Sequence, residues 1–510
     1  MKKLIVLSCF AASGLLAQAP PAPTIASVVN NYITASSVLC PGLLATVYGT
    51  NFGTASGTGN PNNVTVTVGG EPAFVVGGTP TQINVQLPFD ISTGPTTATV
   101  GVGGITSAPF NVTISAVAPT LPPVPSSTNG LFYNTKGTLI SSTVLANPGD
   151  TLTLYATGLG ATNPPLVAGV APTGLTPTAV TPTLSVGGAN ATISFAGASS
   201  TPSLYQINFI VPTTVQGSVP VTLSISGQTS NSVMLTLTGI SAIVNGGSFL
   251  NTGTVAAGEI VSLFANGLGS TNEGNVFPST TTQGISVTFN GTPAPIFELI
   301  ATANQINLVT PSELGTSGPV QVQLTTPAGT GPNFAMTLEA AVPGILLIPD
   351  PSNPAATDAA AQFANTAWDV LPPSAIKAYG FATNCTVSMA PPASACAQPA
   401  APGDFLSVYT TGLGLATPNG APNGTPLATG ALPPANGSVL YETVATPTVE
   451  IGGVAVKLSY SGLTPGDAGL YQLVFQVPTG VPEGDAVPLT VSMPGSTTGT
   501  ATLAIQSRSN

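Results

Sequence analysis

Three acidic residues stand at the same place in a pattern that recurs along this chain of 510 residues. Asp150, Glu259 and Asp404 each follow a glycine and come just before a strand-like run that contains an aromatic residue. A catalytic carboxylate is not expected once per repeat, whereas a turn carboxylate that bonds to its own backbone is. We therefore predict a turn role; calcium ligation is the alternative, although the spacing matches no EF-hand loop.

The chain contains no histidine. Its absence excludes Ser-His-Asp and Cys-His nucleophile systems and removes the commonest zinc ligand. The remaining enzyme designs need paired carboxylates or a Ser-Lys dyad, and the 17 acidic residues are scattered along the chain. The sequence predicts no enzyme, with no catalytic residue, no cofactor and no metal centre; a hydrolase of unfamiliar design is the remote alternative.

A long segment near the carboxyl end, about residues 349–402, holds two of the four cysteines and the only tryptophan. Cys385 and Cys396 lie close in sequence, so an oxidising compartment predicts a disulfide between them. Cys40 is expected to stay reduced as a small buried side chain. Trp368 is the best candidate for a ligand contact, and burial of its ring beneath the segment is the alternative.

The amino terminus has the layout of a secretory signal peptide, predicted over residues 1–19. Lys2 and Lys3 precede an apolar run that ends in small residues near Ala17. No later stretch is apolar enough to span a membrane as a helix. Without the two lysines, four basic and 17 acidic residues remain, a net charge of 4 − 17 = −13. Such a surface repels phosphate backbones, so we expect no nucleic-acid partner.

Two ordered motifs recur four times in the chain. The first is an aromatic strand that ends in a glycine turn, at residues 47–53, 154–160, 263–269 and 408–414. The second is a strand with glutamine at or near its start and proline at its end, at residues 82–88, 205–212, 305–311 and 471–478. Two motifs in constant order indicate four copies of one structural unit.

Each copy reads as short strands of alternating polarity separated by turn signals. A glycine-rich pair between two strand-like runs predicts a hairpin in every copy, at residues 69–70, 187–188, 290–291 and 452–453. A helical period is suggested only in the segment from Thr357 to Asp369. About seven strands in roughly 100 residues predict an all-β immunoglobulin-like sandwich, with a small closed barrel as the alternative.

The four copies alternate between two kinds, A and B. Copies one and three open with Val29-Asn30-Asn31-Tyr32 and Val244-Asn245-Gly246-Gly247, and close with similar hinges at 116–121 and 340–345. Copies two and four share a Pro-Gly-Asp turn and a tyrosine before the glutamine. We therefore predict repeats A1 (24–116), B1 (117–239), A2 (240–340) and B2 (341–510, with the insertion at about 349–402), duplicated as a pair with the seam near Gly239.

These motifs resemble two known groups of sequences. Gly49-Thr50-Asn51-Phe52-Gly53 is similar to the signature of IPT/TIG immunoglobulin-like domains. The B copies, with Tyr155-Ala156-Thr157-Gly158-Leu159-Gly160 and Gly469-Leu470-Tyr471-Gln472, resemble an uncharacterised C-terminal domain of exported acidobacterial (Solibacter-type) proteins. The resemblance implies an exported modular β-protein. It supplies no functional residue, and A1 departs from it with Leu43 where the other copies have an acidic residue.

The sequence therefore favours a non-enzymatic exported protein, an array of four sandwiches that serves as a surface or secreted interaction or spacer module. A carbohydrate-binding accessory protein is the alternative, and it would use the B2 insertion and the loop from Leu415 to Tyr441. The expected partner is an extracellular protein or a polysaccharide. The expected location is extracellular or at the cell surface, with the periplasm as an alternative.

Overall fold

Nearly all the regular secondary structure in the described residues is β-strand, as the sequence predicts. The computed structural model describes residues 21–33, 37–53, 55–56, 63–327, 329–383, 385, 396–496 and 498–508. Within these ranges there are one α-helix and two short 3-10 helices. No helix among them is long and apolar enough to cross a membrane. The predicted signal peptide, residues 1–19, lies outside the described residues.

The described residues of the first half of the chain form eighteen strands. Those of A1 are β1 (Thr24–Asn30), β2 (Leu44–Thr50), β3 (Ala55–Ser56), β4 (Thr65–Val68), β5 (Glu71–Thr79), β6 (Gln82–Gln86), β7 (Gly94–Val102), β8 (Ile105–Thr106) and β9 (Phe110–Ile114). Those of B1 are β10 (Phe132–Asn134), β11 (Thr151–Ala156), β12 (Thr183–Val186), β13 (Ala189–Asn190), β14 (Thr192–Ala198), β15 (Tyr205–Ile210), β16 (Ser218–Ile225), β17 (Gln228–Thr229) and β18 (Val233–Thr236).

The second half contributes the remaining elements. The strands of A2 are β19 (Gly239–Asn245), β20 (Thr254–Val255), β21 (Ile260–Asn266), β22 (Glu273–Gly274), β23 (Thr281–Thr282), β24 (Ile285–Phe289), β25 (Thr292–Pro293), β26 (Ile296–Ile300), β27 (Gln305–Val309), β28 (Gly318–Thr326), β29 (Gly329–Thr330) and β30 (Phe334–Leu338), with 3-10 turns at Ala301–Ala303 and Ser312–Leu314. The elements of B2 are β31 (Gly344–Ile345), β32 (Ala361–Phe363), β33 (Asp369–Val370), α1 (Pro373–Tyr379), β34 (Ala397–Gln398), β35 (Phe405–Thr411), β36 (Ala416–Pro418), β37 (Tyr441–Thr443), β38 (Thr448–Ile451), β39 (Val454–Val456), β40 (Leu458–Leu463), β41 (Tyr471–Gln476), β42 (Gly484–Ser492) and β43 (Thr498–Ile505).

One strand topology recurs in all four repeats. The aromatic strand pairs with the glutamine strand in a first sheet, in the orders β1-β2-β6-β5, β10-β11-β15-β14, β19-β21-β27-β26 and β32-β35-β41-β40. A second sheet contains β4-β7-β9, β12-β16-β18, β24-β28-β30 and β38-β42-β43. The chain crosses between the sheets at the hairpin, through β5 in A1 and through two successive short strands in the other repeats.

The alternating pattern of each strand places its apolar residues between the two sheets. In β11, for example, Leu152 and Leu154 are buried while Thr153 and Tyr155 between and beyond them are half-buried. Alternation with period two lets a strand cover a core with one face and meet solvent with the other. Buried residues of both sheets form the A1, A2 and B2 cores.

The predicted hairpin turns are confirmed by backbone geometry. Both residues of each turn have positive φ, with values from 48° to 87° at Gly69, Gly70, Gly187, Gly188, Asn290, Gly291, Gly452 and Gly453. Type I′ hairpins need this conformation at both central positions, and glycine and asparagine adopt it at least cost.

The repeated glutamine motif has a structural explanation. In B1 the side-chain Nε2 of Gln206 donates to Oδ1 of Asn208, two residues along the same strand face, at 2.9 Å. Thr153 of the neighbouring strand donates to the same oxygen at 3.0 Å. The arrangement recurs with Gln82, Asn84 and Thr46 and with Gln305, Asn307 and Ser262. The motif therefore bonds side chains across the first sheet rather than marking a reactive site.

The helical period suggested between Thr357 and Asp369 is wrong. That segment contains β32 and the start of β33, and the helix α1 follows it. Pro373 can begin α1 because the first turn of a helix needs no backbone N–H donor, and Gly380 ends it with a φ of 72°. The pattern of polar and apolar residues is too short here to separate the helix α1 from the short strands β32 and β33 before it.

Backbone contacts divide the chain into two compact units. The first holds A1 and most of B1, and the second holds A2 and B2 together with residues 141–150 and 212–219. β19 begins at Gly239, where the sequence predicts the seam of the duplication. The division into four separate domains at the stated boundaries stays a prediction.

Candidate functional site

The three repeated carboxylates each close a tight turn. Oδ2 of Asp150 accepts the N–H of Asn147 at 2.7 Å, Oε2 of Glu259 accepts that of Ala256, and Oδ2 of Asp404 accepts that of Ala401, the last two also at 2.7 Å. Each acceptor lies three residues after its donor, which is the geometry of a side chain that mimics a backbone turn. The predicted turn role is confirmed. In A1, Leu43 keeps the backbone bond to Cys40 without the carboxylate.

Glu259 differs from the other two because it is completely buried. Its Oε1 accepts a hydrogen bond from Nδ2 of Asn245 at 2.8 Å. Burial raises the pKa of Glu259 to about 8, although the hydrogen bonds from Ala256 and Asn245 oppose that shift. The carboxyl group is therefore protonated at neutral pH, which avoids placing an unpaired charge in the core.

Asn245 connects Glu259 to the hinge between A2 and B2. Its Nδ2 also donates to the carbonyl of Val342 at 3.0 Å, and its Oδ1 accepts the N–H groups of Gly247 and Ser248 at 2.9 Å. Every polar atom of this buried side chain is thus bonded, as a buried amide requires.

A1 and B1 are joined by an equivalent contact. Asn30 is buried and donates from Nδ2 to the hydroxyl of Thr120, which in turn donates to the carbonyl of Ala118. In the second pair Gly344 stands where the hinge of the first pair has Thr120. An added Cβ on Gly344 would lie 1.8 Å from Oδ1 of Asn245, so the absence of a side chain lets the asparagine reach the hinge carbonyl directly.

Each hinge also lies against the Thr-Gly-Leu-Gly turn of its own B repeat. In the first unit the N–H of Ala118 donates to the carbonyl of Gly158 at 2.8 Å; in the second, Val342 donates to Gly412 at 2.8 Å. A Cβ on Gly158 would lie 2.0 Å from the Ala118 oxygen, and one on Gly412 would lie 2.1 Å from the Val342 oxygen. Both turns therefore need glycine for close approach as well as for positive φ.

The tyrosine that distinguishes the B copies fixes the same turn. The hydroxyl of Tyr205 donates to the carbonyl of Gly160, and that of Tyr471 donates to Gly414. Both tyrosines are buried, so each hydroxyl needs such a partner. The asparagine of the A copies and the glycine turn of the B copies build the hinge contact, and the tyrosine of the B copies holds that turn.

Loops of the B repeats extend onto their A partners. In the first unit the N–H of Gly169 donates to Oε1 of Gln86 at 2.7 Å. In the second, the N–H of Thr429 donates to Glu313 at 3.0 Å and its hydroxyl accepts from the N–H of Ser312 at 2.8 Å. Thr429 lies in the loop from Leu415 to Tyr441, so part of this predicted contact loop is already engaged with A2.

The B2 insertion contains the predicted disulfide. Cys385 and Cys396 are bonded, with their Cα atoms 5.7 Å apart, and Cys40 is a free, buried thiol. Burial raises the pKa of the Cys40 thiol to about 12, which suppresses its reactive thiolate form.

Trp368 packs on the B2 core instead of standing free in solvent. Its half-buried ring meets Phe363 edge to face, with the centroids 6.4 Å apart. Part of its apolar surface is therefore buried against the core. Its role as a ligand contact stays a prediction.

A pocket of about 530 Å³ lies beside α1 of the insertion. α1 and the segment after it supply Lys377 and Phe381, the chain after the disulfide supplies Gln398, and the carboxyl-terminal segment supplies Gln506 and Arg508. Arg508 makes a two-pronged ion pair with Asp404 at 2.8 and 2.9 Å. The pocket volume falls in the range of small-molecule sites.

A larger open groove of about 760 Å³ lies in the first unit, between A1 and the loop Ala161–Ala168 of B1. Phe74 and Phe89 line it, and among the described residues its charged groups are Glu71 and Asp90. In the described part of the chain no group of three or more acidic or cysteine side chains is placed to hold a metal ion.

Comparison by sequence finds no matching family model and no matching curated protein. Among solved structures the chain is similar to SGBP-B of the Bacteroides ovatus mixed-linkage glucan utilization locus, in complex with a mixed-linkage heptasaccharide, at 14% identity over 59% of this chain and 67% of that one, with a TM-score of 0.16. It is also similar to the Escherichia coli adhesin FdeC, at 13% identity, 71% and 94% coverage and a TM-score of 0.16. The I9-I11 tandem of titin is similar at 12% identity over 71% of this chain and 95% of that one, with a TM-score of 0.14. Likenesses this remote supply no function.

Two glycine variants test the hinge contact. Gly412→Ala should destabilise B2 by more than about 3 kcal/mol, because its Cβ meets the Val342 carbonyl. Gly453→Ala is the matched control, since its φ of 80° is similar and nothing lies within 4 Å of its Cβ; it should cost about 1 to 2 kcal/mol. Urea unfolding followed by Trp368 fluorescence measures both, and equal losses would contradict the contact.

Glu259 should make the stability of A2 depend on pH. Unfolded, Glu259 ionises near 4.5, and folded, near 8, so the folded state binds the extra proton between those values. Its contribution to the free energy of unfolding is complete below about pH 4.5 and is lost as the pH rises to about 8, by at most about 1.4 kcal/mol per pH unit.

Glu259→Gln should therefore flatten the fall in the urea midpoint across this range, again followed by Trp368 fluorescence. Gly453→Ala, which removes no ionisable group, is the control and should keep the wild-type slope. A Glu259→Gln slope equal to that of the wild type would mean that this carboxyl group does not hold the extra proton.

Proposed function

We propose that this protein is an exported, non-enzymatic array of immunoglobulin-like sandwiches that acts at the cell surface or in the extracellular space as an interaction and spacer module. We include in this proposal its kinship with the exported acidobacterial proteins whose motifs it resembles. The observation that carries the proposal is the A to B contact, which is built twice from matching residues.

A contact of this kind suits a spacer because it limits bending where a flexible linker would allow it. Asn30 and Asn245 each bind the hinge from the A side, and the glycine turns at Gly158 and Gly412 bind it from the B side. Chain that is bonded on two sides loses the freedom of an open linker. The hinge therefore supports a fixed spacing within each pair.

The acidic residues and cysteines also support this proposal. Asp150, Glu259 and Asp404, which recur by position, are engaged in turns, so they are structural groups in the folded protein. The disulfide between Cys385 and Cys396 supports a destination in an oxidising compartment. A surface of net negative charge suits a soluble exported protein.

Cell fractionation of the producing bacterium tests export. We expect a mature amino terminus created by cleavage after Ala17 or Ala19, recovered outside the cytoplasm and read by mass spectrometry. Leu7→Arg should block export because it places a charge in the apolar run of the signal peptide. Intact Met1 on a cytoplasmic wild-type protein would contradict the proposal; Lys136→Gln, remote from the leader, is the control.

A further inference from the structure

The pocket in the B2 insertion collects positive charge in a chain that has very little. Only four basic residues lie beyond the predicted signal peptide, and two of them, Lys377 and Arg508, line this one pocket. The charged groups that the described residues contribute to the larger groove of the first unit are, in contrast, both acidic. Since the whole chain has a net charge of −11, the pocket is a local exception to the field around it.

Arg508 is held in place, and Lys377 is available. Asp404 takes both terminal nitrogens of Arg508, and the guanidinium carbon lies 5.6 Å from the centre of the Phe363 ring. Lys377 is exposed and has no ion pair among the described residues. Because Asp404 offsets the charge of Arg508, Lys377 is the cation left to bind an anionic group.

The rest of the lining suits a polar ring. Phe381 presents an aromatic ring that stacks on Tyr379, with the centroids 4.9 Å apart and the planes at 11°. Pro373 and Pro399 add apolar surface, and the amides of Gln398 and Gln506 can both donate and accept. Apolar faces with a few convergent polar groups are typical of small-ligand sites.

A peptide strand is a poorer fit than a sugar. Strand addition needs a free row of backbone donors and acceptors at a sheet edge. At β34, which ends its sheet, the N–H of Ala397 already donates to Ala382 at 3.1 Å. The N–H of Gln506 likewise donates to Ala400 at 2.8 Å. The pocket therefore offers side chains, not a backbone ladder.

We propose that this pocket binds a carboxylate-bearing sugar, a uronic acid residue of an acidic polysaccharide. Lys377 binds the carboxylate, Phe381 and the prolines contact the sugar ring, and the glutamine amides bond its hydroxyl groups. This ligand site goes beyond the spacer role and does not depend on it, so its failure would leave the array proposal standing.

Calorimetric titration of the full chain with short oligogalacturonides tests the site. Their methyl esters are the matched neutral probe, since they keep the sugar skeleton and lose the charge. We expect the acid form to bind at low salt, to weaken as salt is added, and to bind at least about 10-fold more tightly than the ester. Lys377→Gln should lose about the same factor. Arg508→Gln should weaken binding as well, because it leaves the carboxylate of Asp404 without its ion-pair partner. Lys136→Gln, an exposed lysine of the first unit, should change nothing.

Several outcomes would overturn the proposal. They are equal binding of acid and ester, a Lys377→Gln affinity equal to that of Lys136→Gln, and an oligoglutamate that binds as tightly as the sugar, which would assign the pocket to acidic peptides. Failure to bind any member of a panel of galacturonate, glucuronate and mannuronate oligosaccharides would overturn it too.

Discussion

The structure depends on one close approach, that of the hinge backbone to a glycine turn. The hinge carbonyls of Ala118 and Val342 come so near to Gly158 and Gly412 that no side chain fits between them. The same turn also accepts the buried tyrosine hydroxyl, at Gly160 in B1 and at Gly414 in B2. The spacing between A and B is therefore set by main-chain atoms, whose positions are more restricted than those of side-chain atoms.

The contact explains why each A repeat keeps a buried asparagine at its opening strand. A buried amide is costly unless every donor and acceptor is bonded. Asn245 meets that condition by bonding Glu259, the Val342 carbonyl and two backbone N–H groups. The two pairs differ in the hinge residue at this position, which is Thr120 in the first pair and Gly344 in the second. In both pairs an asparagine of the first A strand bonds to the start of B.

Much of the fold could be predicted from the sequence because its signals are local. Glycine pairs with positive φ, period-two strands and a carboxylate three residues after its donor are all decided within a few positions, and the structure confirms them. The full burial of Glu259 could not be predicted, since its position in the repeat matches that of Asp150 and Asp404 and only tertiary packing separates them. The insertion pocket was missed for the same reason, because Lys377 and Arg508 are far apart in sequence and polar residues alone do not indicate a cavity. One signal was present: three of the four basic residues beyond the predicted signal peptide, Lys377, Lys457 and Arg508, fall in B2, the most elaborated repeat.

We expect A2 and B2 to unfold as one unit, because the hinge contact joins them. Trp368 packs on the B2 core, so its fluorescence reports B2, while Phe289 is fully buried in the A2 core. The most direct measurement is urea unfolding of Phe289→Ala followed at Trp368. If A2 and B2 unfold together, the cavity made in A2 costs about 3 to 5 kcal/mol of the free energy of unfolding. The urea midpoint reported by Trp368 in B2 should fall accordingly. An unchanged Trp368 midpoint, with a separate transition at lower urea in circular dichroism, would mean that A2 unfolds without B2.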